Sequence, residues 1–581
     1  MHDRLPATSF KSDFNSIAMI KMTRILIACI SFLLVLPVSG GDRPGLAAVS
    51  SAHEAATAAG EEILLNGGNA FDAAVAVSAA LAVVEPESSG IGGGGFWLLH
   101  FADQDTSIMI DGRETAPAAA TADMYLDEDG KVDRDLATNG PLAAGIPGAP
   151  AAWVHIVEKY GTLSLPEVLA PAIRLAEEGF EVDAKYQTLL NWRAHVMLRW
   201  EATAEIFMPG GDVPELGAVI RQSDLARTLR VLAEHGHDGF YRGEIAEKLV
   251  AGAGVEGGIW TLEDLAGYEV IEREPIRTHY QGYELITASP PSSGGIAIAQ
   301  ILNIIEPFDL ATLSRVERTH LLAEAMRRAY RDRALYLGDP DFIDIPYDML
   351  LSKHYAAGVR TGLRMDRATP SSALAADPSR EVIESDNTTH FSLMDADGNL
   401  VSATLTVNLP FGAVYAAPGT GVLFNNEMDD FAAAPGEPNA FGLIGFEANA
   451  IEPGKRMLSS MSPTIVRSKE RTAVIGTPGG SRIITMVLLG VLDFIDGNGP
   501  DSWVSMPRFH HQYQPDEISA EGDALVAEEI EALEALGHEV SVRTRPAGNM
   551  HAIMWDRARN TVEAAHDPRW PSGGAVVIDV D

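Results

Sequence analysis

Two alternating runs, about two-thirds of the way along the chain, constrain its fold most strongly. Residues 388–393 read Thr-Thr-His-Phe-Ser-Leu and residues 401–408 read Val-Ser-Ala-Thr-Leu-Thr-Val-Asn, with the turn sequence Asp-Ala-Asp-Gly-Asn between them. Because strand side chains alternate between two faces and Asp-Gly favours turn geometry, the pattern predicts a β-hairpin. A three-residue loop would pair positions whose numbers sum to 794, which places Thr388 opposite Thr406.

Thr388 has the features of a nucleophile that carries its own base. If the bond between Asn387 and Thr388 is cut, Thr388 becomes an N-terminus, and its free α-amine can take the proton from its own hydroxyl. On this stretch alone, the ordinary interpretation of Thr-Thr as β-branched residues on a pleated surface is the stronger one. The choice between the two interpretations depends on motifs elsewhere in the chain.

Several further motifs, in order, resemble those of the γ-glutamyltranspeptidases. They lie at residues 89–96, 111–117, 290–295, 425–431, 458–464 and 476–482. With residues 388–390, the match runs from about Gly45 to near the C-terminus. The resemblance implies an α+β fold, the four-layer αββα sandwich of the N-terminal-nucleophile hydrolases, formed jointly by two autoprocessed subunits. Periodicity alone predicts only a mixture of helices and strands.

The resemblance also implies an activity. The chain would cut itself between Asn387 and Thr388 into a large subunit, 41–387, and a small catalytic subunit, 388–581, which stay together as a heterodimer. The enzyme would be a γ-glutamyltransferase and hydrolase that cleaves glutathione and related γ-glutamyl compounds. The acyl group would pass from Thr388 to water or to an amino acid or dipeptide acceptor. No cofactor and no metal are implied.

Individual residues receive roles from the same resemblance. Thr388 would be the nucleophile, Thr406 would orient its hydroxyl, and Gly479 and Gly480 would offer backbone N–H groups to the oxyanion. A γ-glutamyl group carries a free α-carboxylate and a free α-amine, so its site needs a cation with hydroxyls and, separately, carboxylates. The substrate-binding residues would be Arg113, Ser459 and Ser460 for the carboxylate, Glu427 and Asp430 for the amine, and Asn408.

Three positions depart from the family pattern. Gly112 replaces an aromatic residue that is common before the arginine, and we expect this change to loosen Arg113. The segment 432–458 is rich in Gly, Pro and Asn and resembles a lid loop. Phe441 stands in it where tyrosine is usual, so one lid hydrogen bond would be missing. Glu427 replaces a glutamine of some bacterial relatives, which adds negative charge around the amine.

Composition limits partners and location. The 581-residue chain has a formal net charge of −38, which argues against nucleic acid and anionic lipid as partners. An apolar run at 25–38 follows Lys21 and Arg24, so residues 1–40 are predicted to be a signal peptide or leader, with an uncleaved anchor as the alternative. We expect no stable membrane span elsewhere, and a periplasmic or extracellular protein. The single cysteine, Cys29, lies in this run, which excludes thiol catalysis and cysteine-based metal sites from the exported form.

Other patterns predict structure rather than chemistry. Helices are predicted at 52–65, 70–84, 321–337 and 524–536. The glycine run 90–95 favours close backbone packing over a phosphate loop, because no lysine follows it. Asp-rich stretches at 127–130 and 395–398 lack the Glu that a calcium loop needs at its twelfth position, so they are predicted turns. The pair His510-His511 has no partner at a helical metal-site spacing. Alternation places His390 on the face of the nucleophile, and a structural histidine is an equally good interpretation.

Two alternative functions remain open. Within the same fold, the chain could be an acylase for glutaryl-type cephalosporin side chains or a poly-γ-glutamate-cleaving enzyme. Asp430 discriminates here, because a substrate without an α-amine gives that carboxylate no cation. In a different class, the chain could be an uncleaved, non-catalytic binding protein.

Overall fold

The computed structural model describes residues 43–374 and 387–580. The predicted leader at 1–40, including its apolar run and Cys29, lies outside the described residues. Within 43–374 and 387–580, no helix has both the length and the apolar character needed to cross a membrane.

The described strands are numbered in chain order. They are β1 (Ala47–Ser51), β2 (Gly94–Phe101), β3 (Thr106–Gly112), β4 (Phe180–Glu181), β5 (Val219–Ile220), β6 (Ile271–Arg273), β7 (Ile276–Tyr280), β8 (Tyr283–Thr287), β9 (Thr389–Met394), β10 (Leu400–Thr406), β11 (Thr464–Arg467), β12 (Arg471–Gly476), β13 (Phe509–His510), β14 (Ile518–Glu521), β15 (Val540–Arg543), β16 (His551–Asp556), β17 (Thr561–His566) and β18 (Gly574–Ile578).

The described α-helices follow the same convention. They are α1 (Glu54–Leu65), α2 (Ala70–Val84), α3 (Arg134–Thr138), α4 (Ala149–Tyr160), α5 (Leu165–Glu178), α6 (Ala184–Met197), α7 (Glu201–Phe207), α8 (Ser223–His235), α9 (His237–Tyr241), α10 (Gly243–Val255), α11 (Leu262–Ala266), α12 (Gly294–Ile305), α13 (Arg315–Tyr336), α14 (Tyr347–Leu350), α15 (Lys353–Arg360), α16 (Ile483–Ile495), α17 (Pro500–Ser505) and α18 (Ala527–Ala535).

Two antiparallel sheets stack face to face at the centre. One has seven strands in the order β18-β1-β9-β10-β2-β3-β6, and the other has six in the order β17-β16-β12-β11-β8-β7. Strands β9 and β10 of the first sheet contact β12 and β16 of the second. Helices α1, α2 and α4 cover the outer face of the first sheet, and α12, α16 and α17 cover that of the second. The structure thus confirms the predicted four-layer αββα sandwich.

The predicted hairpin is present with the predicted register. Strands β9 and β10 pair antiparallel, with His390 opposite Thr404 and Thr389 opposite Leu405, so that paired positions sum to 794. The turn is closed by Asp395, whose carboxylate accepts hydrogen bonds from the backbone N–H groups of Asp397 and Asn399. The register therefore places Thr388 at the level of Thr406.

The predicted helices are present with shifted ends. Helix α2 has the predicted bounds because Asn69 and Asp72 form a capping box at its start. Helix α13 begins six residues earlier than predicted, at Arg315, because Ser314 and Glu317 form another capping box there. Helices α1 and α18 are shorter than predicted and begin two and three residues later. Helix α1 begins after His53, whose Nδ1 accepts the backbone N–H of Ala55 at 3.1 Å.

The space between the two sheets changes character along β9. At the start of the strand, the inward side chains Thr388, His390 and Ser392 are polar, and Ser392 donates to the carbonyl of Val474 in β12 at 3.2 Å. Further along lies an apolar cluster, made of Ala48, Leu98, Ile286, Met394, Leu400, Ile465, Val474, Ile553 and Trp555. The polar end of this layer is where the predicted nucleophile lies.

Candidate active site

Thr388 lies immediately before β9, is 4% exposed, and contacts its predicted partner. Its hydroxyl donates to the Thr406 hydroxyl oxygen at 3.4 Å. The same Thr406 oxygen accepts the backbone N–H of Asn408 at 2.7 Å. Thr406 is held by the backbone beyond β10 and in turn orients Thr388.

The backbone at Thr388 is strained. Its φ angle is +138°, a value that β-branched residues rarely adopt. Such a conformation costs about 1–3 kcal/mol and persists only where the surroundings enforce it. The preceding residue, Asn387, is 1% exposed, so the peptide bond between them is enclosed. The strain thus lies at the bond that the sequence predicts to be cut.

His390 serves the sheet interface and not the nucleophile. Its Nδ1 lies 2.8 Å from the Thr404 hydroxyl and its Nε2 lies 3.3 Å from the Ser392 hydroxyl. Its ring fills the space over Gly476, where a β-carbon would lie only 2.2 Å from it. Burial lowers the pKa of His390 to about 3, so the ring is neutral at ordinary pH. The structural interpretation of this histidine is confirmed.

Gly479 and Gly480 form the turn that follows β12. Their φ angles are +137° and +55°, and a side chain on either would collide with Met486 or Phe441 at 2.4 Å. The contacts of Ser392 and His390 with β12 place this turn at the end of the sheet layer where Thr388 lies. Both positions therefore require glycine, and their role as oxyanion donors stays a prediction.

A buried charged cluster contains three of the predicted substrate-binding residues. Arg113 is fully buried and donates from Nη1 to Glu427 Oε2 and from Nη2 to Asp430 Oδ2, both at 2.5 Å. Glu427 and Asp430 begin and end one 3₁₀ turn, in which residues three apart point the same way. Their spacing explains why both carboxylates reach one guanidinium.

Gly112 does not loosen Arg113, contrary to the expectation from sequence. A β-carbon at Gly112 would lie 2.9 Å from Trp97 and 3.0 Å from Ala152, so an aromatic side chain does not fit here. Arg113 is anchored independently, because its Nε donates to the carbonyl of Met457 at 3.2 Å. Neighbouring residues thus fill the space that an aromatic residue would occupy.

Glu114 completes the cluster and was missed from the sequence, although it lies in the motif 111–117. Its carboxylate is 3.5 Å from Arg113 and, within the described chain, its oxygens accept no hydrogen bond. Burial and the charge of Glu427 raise the pKa of Glu114 well above its usual value. Burial also raises the pKa of Glu427 to about 7, against the opposing effect of Arg113. The cluster therefore carries less negative charge at neutral pH than its composition suggests.

The charged cluster and the nucleophile are adjacent. Asn408 donates from Nδ2 to the carbonyl of Asn426 at 2.8 Å, and Asn426 accepts the backbone N–H of Leu409 at 3.0 Å. These bonds hold the segment that carries Glu427 beside Thr406, whose hydroxyl is close enough to influence the pKa of Glu427. The predicted recognition residues and the predicted nucleophile thus meet at the end of β10.

Asn425 is a second residue that sequence reasoning missed. Its side chain donates to the carbonyls of Gly92 and Gly145 at 2.8 Å and accepts the backbone N–H of Glu427 at 3.0 Å. A β-carbon at Gly92 would lie 2.1 Å from the carbonyl oxygen of Leu423. The predicted close backbone packing of the glycine run is confirmed, and Asn425 ties that run to the charged cluster.

The two predicted serines differ in availability. The Ser459 hydroxyl oxygen accepts the backbone N–H of Met461 at 3.0 Å. The Ser460 hydroxyl is buried and, among the described residues, has no hydrogen-bond partner. A buried hydroxyl without a partner is costly unless a ligand satisfies it. The role of Ser460 in substrate binding stays a prediction with this support.

The segment 432–458 lies against both parts of the site. The Asn439 side chain donates to Asp430 Oδ1 at 3.1 Å, and the Ala440 N–H donates to Asp429 Oδ2 at 2.9 Å. The carbonyl of Phe441 accepts from Gln512 at 3.2 Å. These contacts hold the segment without the hydrogen bond that a tyrosine at position 441 would supply.

The remaining motifs are structural. Asp127 accepts the backbone N–H groups of Asp129 and Lys131 and so closes a turn. His510 is bound to the side chains of Thr485 and Gln512, each at 2.8 Å. The described residues contain no group of three or more His, Cys, Asp or Glu side chains that could hold a metal ion.

Comparisons with known proteins agree with this geometry. The sequence model of the family described as Gamma-glutamyltranspeptidase matches residues 56–577. The chain is 44% identical to the glutathione hydrolase proenzyme of Pseudomonas sp. strain A14 over 550 residues, 91% of this chain and 93% of that protein. It is also 44% identical to the glutathione hydrolase proenzyme of Escherichia coli strain K12 over 512 residues, 87% of each.

A solved structure, that of a cephalosporin acylase from Bacillus halodurans, superposes with a TM-score of 0.80 at 28% identity. The match covers 91% of this chain and 95% of that one. The family match and the identities extend over most of the chain, well beyond the residues of the site. The chain therefore belongs to the γ-glutamyltranspeptidase family of autoprocessed enzymes.

Proposed function

We propose that this autoprocessed γ-glutamyltransferase and hydrolase cleaves the γ-glutamyl amide of glutathione and related compounds through Thr388, in the periplasm or outside the cell. The acyl group passes to water or to an amino acid or dipeptide acceptor. The observation that carries the proposal is the buried cluster of Arg113, Glu427 and Asp430 beside Thr406. Export rests on the apolar run at 25–38 alone.

The cluster matches the α-amino acid end of a γ-glutamyl group in charge. That end carries one ammonium and one carboxylate. When it binds, its carboxylate replaces the protein carboxylates on Arg113, and its ammonium replaces Arg113 beside Asp430 and Glu427. Every buried charge then keeps an opposite partner, which avoids the large cost of leaving one unpaired. A glutaryl group has only the carboxylate, so its binding takes Arg113 from Asp430 and supplies no cation in its place, which leaves only the more distant charge of Arg333.

The chemistry follows from the uncharged end of the site. The Thr388 hydroxyl oxygen attacks the γ-carbonyl carbon, and its proton passes to the free α-amine of Thr388. The oxyanion accepts hydrogen bonds from the backbone N–H groups at Gly479 and Gly480. The intermediate expels the amine, which takes the proton, and leaves a γ-glutamyl ester on Thr388. Water or an acceptor amine then attacks this ester and restores the hydroxyl.

Self-cleavage uses the same hydroxyl on the chain itself. The Thr388 hydroxyl oxygen attacks the carbonyl carbon of Asn387, and the peptide bond is replaced by an ester as the Thr388 amine is freed. Water then hydrolyses the ester and restores the hydroxyl. The cut removes the strain at Thr388, because its φ angle is no longer fixed by the preceding residue. The two subunits stay associated because β9 and β10, from the small subunit, pair with β1 and β2, from the large one.

Product analysis tests this function. Purified protein is incubated with glutathione, and free glutamate and cysteinylglycine are measured by mass spectrometry, with and without glycylglycine. We expect glutamate release without the acceptor, and γ-glutamyl-glycylglycine when it is present. Absence of both products from a correctly cleaved protein would overturn the proposal.

The likeness to a cephalosporin acylase favours a second candidate, an acylase for glutaryl-type side chains. Poly-γ-glutamate cleavage is a further possibility within the fold. The same assay with a glutaryl anilide and a γ-glutamyl anilide separates the candidates. A higher kcat/KM for the glutaryl anilide would favour the acylase, and the charges of Glu427 and Asp430 predict the reverse.

A further inference from the structure

Three consecutive residues, Asn439 to Phe441, join the charged cluster to the glycine turn. At one end, Asn439 contacts the carboxylate predicted to bind the substrate amine. At the other, Phe441 covers the turn predicted to bind the oxyanion. No other part of the lid segment 432–458, among the described residues, has side-chain bonds to the Asp430 carboxylate.

The Asn439 side chain uses both of its ends. Its Nδ2 donates to Asp430 Oδ1 at 3.1 Å. Its Oδ1 accepts the backbone N–H groups of Phe441 and Leu443, each at 3.0 Å, and so shapes the turn that follows. The main chain repeats this closure, because the Asn439 N–H donates to the Leu443 carbonyl at 3.0 Å. Asn439 thus sets the position of Phe441 relative to Asp430.

The Phe441 ring lies directly on Gly480. A β-carbon at Gly480 would be 2.4 Å from Phe441 Cδ1, so the ring occupies the space that a side chain would take. Phe441 as a whole is 7% exposed. An apolar ring in this place excludes water from the backbone N–H groups of the turn and strengthens their interaction with a developing negative charge.

We infer that Asn439 is a positioning residue that couples recognition of the substrate α-amine at Asp430 to the placement of Phe441 over the oxyanion turn. The inference rests on the proposed function and deepens it. A ligand that carries an α-amine would make the lid segment more rigid, and a ligand without one would not.

The coupling follows from the exchange of partners at Asp430. In the structure Asp430 accepts from Arg113 at 2.5 Å and from Asn439 at 3.1 Å. A substrate carboxylate draws Arg113 away, and an ammonium replaces it, so Asp430 stays in place and holds Asn439 by a charge-assisted bond. Without the ammonium, the buried Asp430 carboxylate loses its main cation and its position is no longer fixed.

Hydrogen exchange at residues 432–443 tests the coupling directly. The processed protein is saturated with L-glutamate or with glutarate, and binding of each is verified by a shift in melting temperature. We expect L-glutamate to slow exchange at least about threefold and glutarate to leave it unchanged. In Asn439→Ala the protection by L-glutamate should disappear. Equal protection by both ligands, or protection that survives in Asn439→Ala, would overturn the inference.

Two variants separate coupling from general loosening of the lid. Asn439→Asp keeps an oxygen that accepts from Phe441 and Leu443 but cannot donate to Asp430, so it should also lose the protection by L-glutamate. The matched control is Asn449→Ala, since Asn449 lies in the same segment and donates to the backbone carbonyl of Asp430 at 2.7 Å. That control should exchange faster overall and still be protected by L-glutamate. Loss of protection in the control alone would contradict the role of Asn439.

Kinetics give an independent readout. Asn439→Ala should lower kcat/KM for a γ-glutamyl anilide about tenfold, mainly through kcat, because the charge-assisted bond is lost. In an Asp430→Ala background the same change should cost less than about twofold, since the bond is already absent. Additive losses would overturn the inference. If neither anilide is cleaved by processed wild-type protein, the proposed function itself fails, which is a different result.

Discussion

The nucleophile pocket around Thr388 and the charged cluster around Arg113 lie side by side, but the first is lined by neutral groups and the second by charged ones. Around Thr388 the groups are hydroxyls, amides and glycine backbone, and the nearby ring of His390 is held neutral, because burial lowers its pKa. Around Arg113 the groups are charged and almost fully buried. Under the proposed function, the reaction and the choice of substrate depend on separate residues, so substitutions should affect them separately.

Thr388→Ala, in the nucleophile pocket, should abolish both self-cleavage and turnover. The variant loses the hydroxyl needed for both self-cleavage and turnover, so it should remain a single chain with activity reduced at least about 10⁴-fold. A denaturing gel and a γ-glutamyl anilide assay measure both effects. Thr388→Ser, which keeps a hydroxyl, is the control and should still be cut. An active single chain in Thr388→Ala would contradict the mechanism.

Asp430→Asn, in the charged cluster, should selectively impair turnover of substrates that carry an α-amine. A buried charge pair loses about 2–5 kcal/mol when one partner is removed, so kcat/KM for a γ-glutamyl anilide should fall roughly 30-fold or more. A glutaryl anilide should be affected much less. Asp429→Asn is the matched control, because Asp429 contacts Ala440 and not Arg113, and it should affect both anilides alike. Equal losses on both substrates for Asp430→Asn would show that Asp430 supports the fold or the nucleophile.

Arg113→Lys should have a smaller and unselective effect. Lysine is a point charge and cannot replace the guanidinium fork, so kcat/KM should fall roughly tenfold. Both anilides carry the carboxylate that Arg113 is proposed to bind, and turnover of both should therefore be impaired. Arg199→Lys, at a half-exposed pair with Asp135, is the control and should leave kinetics unchanged. A loss confined to the γ-glutamyl anilide would assign Arg113 to the wrong end of the substrate.

Glu427→Gln should have the smallest effect, on the pH dependence of stability. Burial raises the pKa of Glu427 from 4.5 to about 7, so folding favours its protonated form. Its contribution to stability is present below pH 4.5 and is lost as pH rises through about 7. The melting temperature of the variant should fall less between pH 5 and pH 8, by about 1–3 °C, than that of the wild type. The control is Glu128→Gln at an exposed position, and its melting temperature should depend on pH as that of the wild type does. The same wild-type dependence in Glu427→Gln would show that the Glu427 carboxylate is ionised throughout this range.

The sequence predicts the geometry of the nucleophile pocket better than that of the charged cluster. Alternation and turn length determine the register of β9 and β10, and they place Thr388 opposite Thr406 without any other information. Motifs carry Arg113, Glu427 and Asp430 into one site, but not the direct pairs between them, which arise from the 3₁₀ turn and from burial. The contacts of Asn425 and Asn439 were not predictable either, because an asparagine in a loop gives no local sign of which distant groups it will join. The expected effect of Gly112 was wrong for the same reason, since Trp97 and Ala152 fill its surroundings from elsewhere in the chain.

Intact-mass spectrometry of the purified wild-type protein, with N-terminal sequencing of the smaller fragment, is the most direct test of self-cleavage between Asn387 and Thr388. We expect two fragments, the smaller of which begins at Thr388, because the hydroxyl of Thr388 attacks the strained bond that precedes it. A smaller fragment with a different first residue, or an active protein with the mass of one uncut chain, would contradict it.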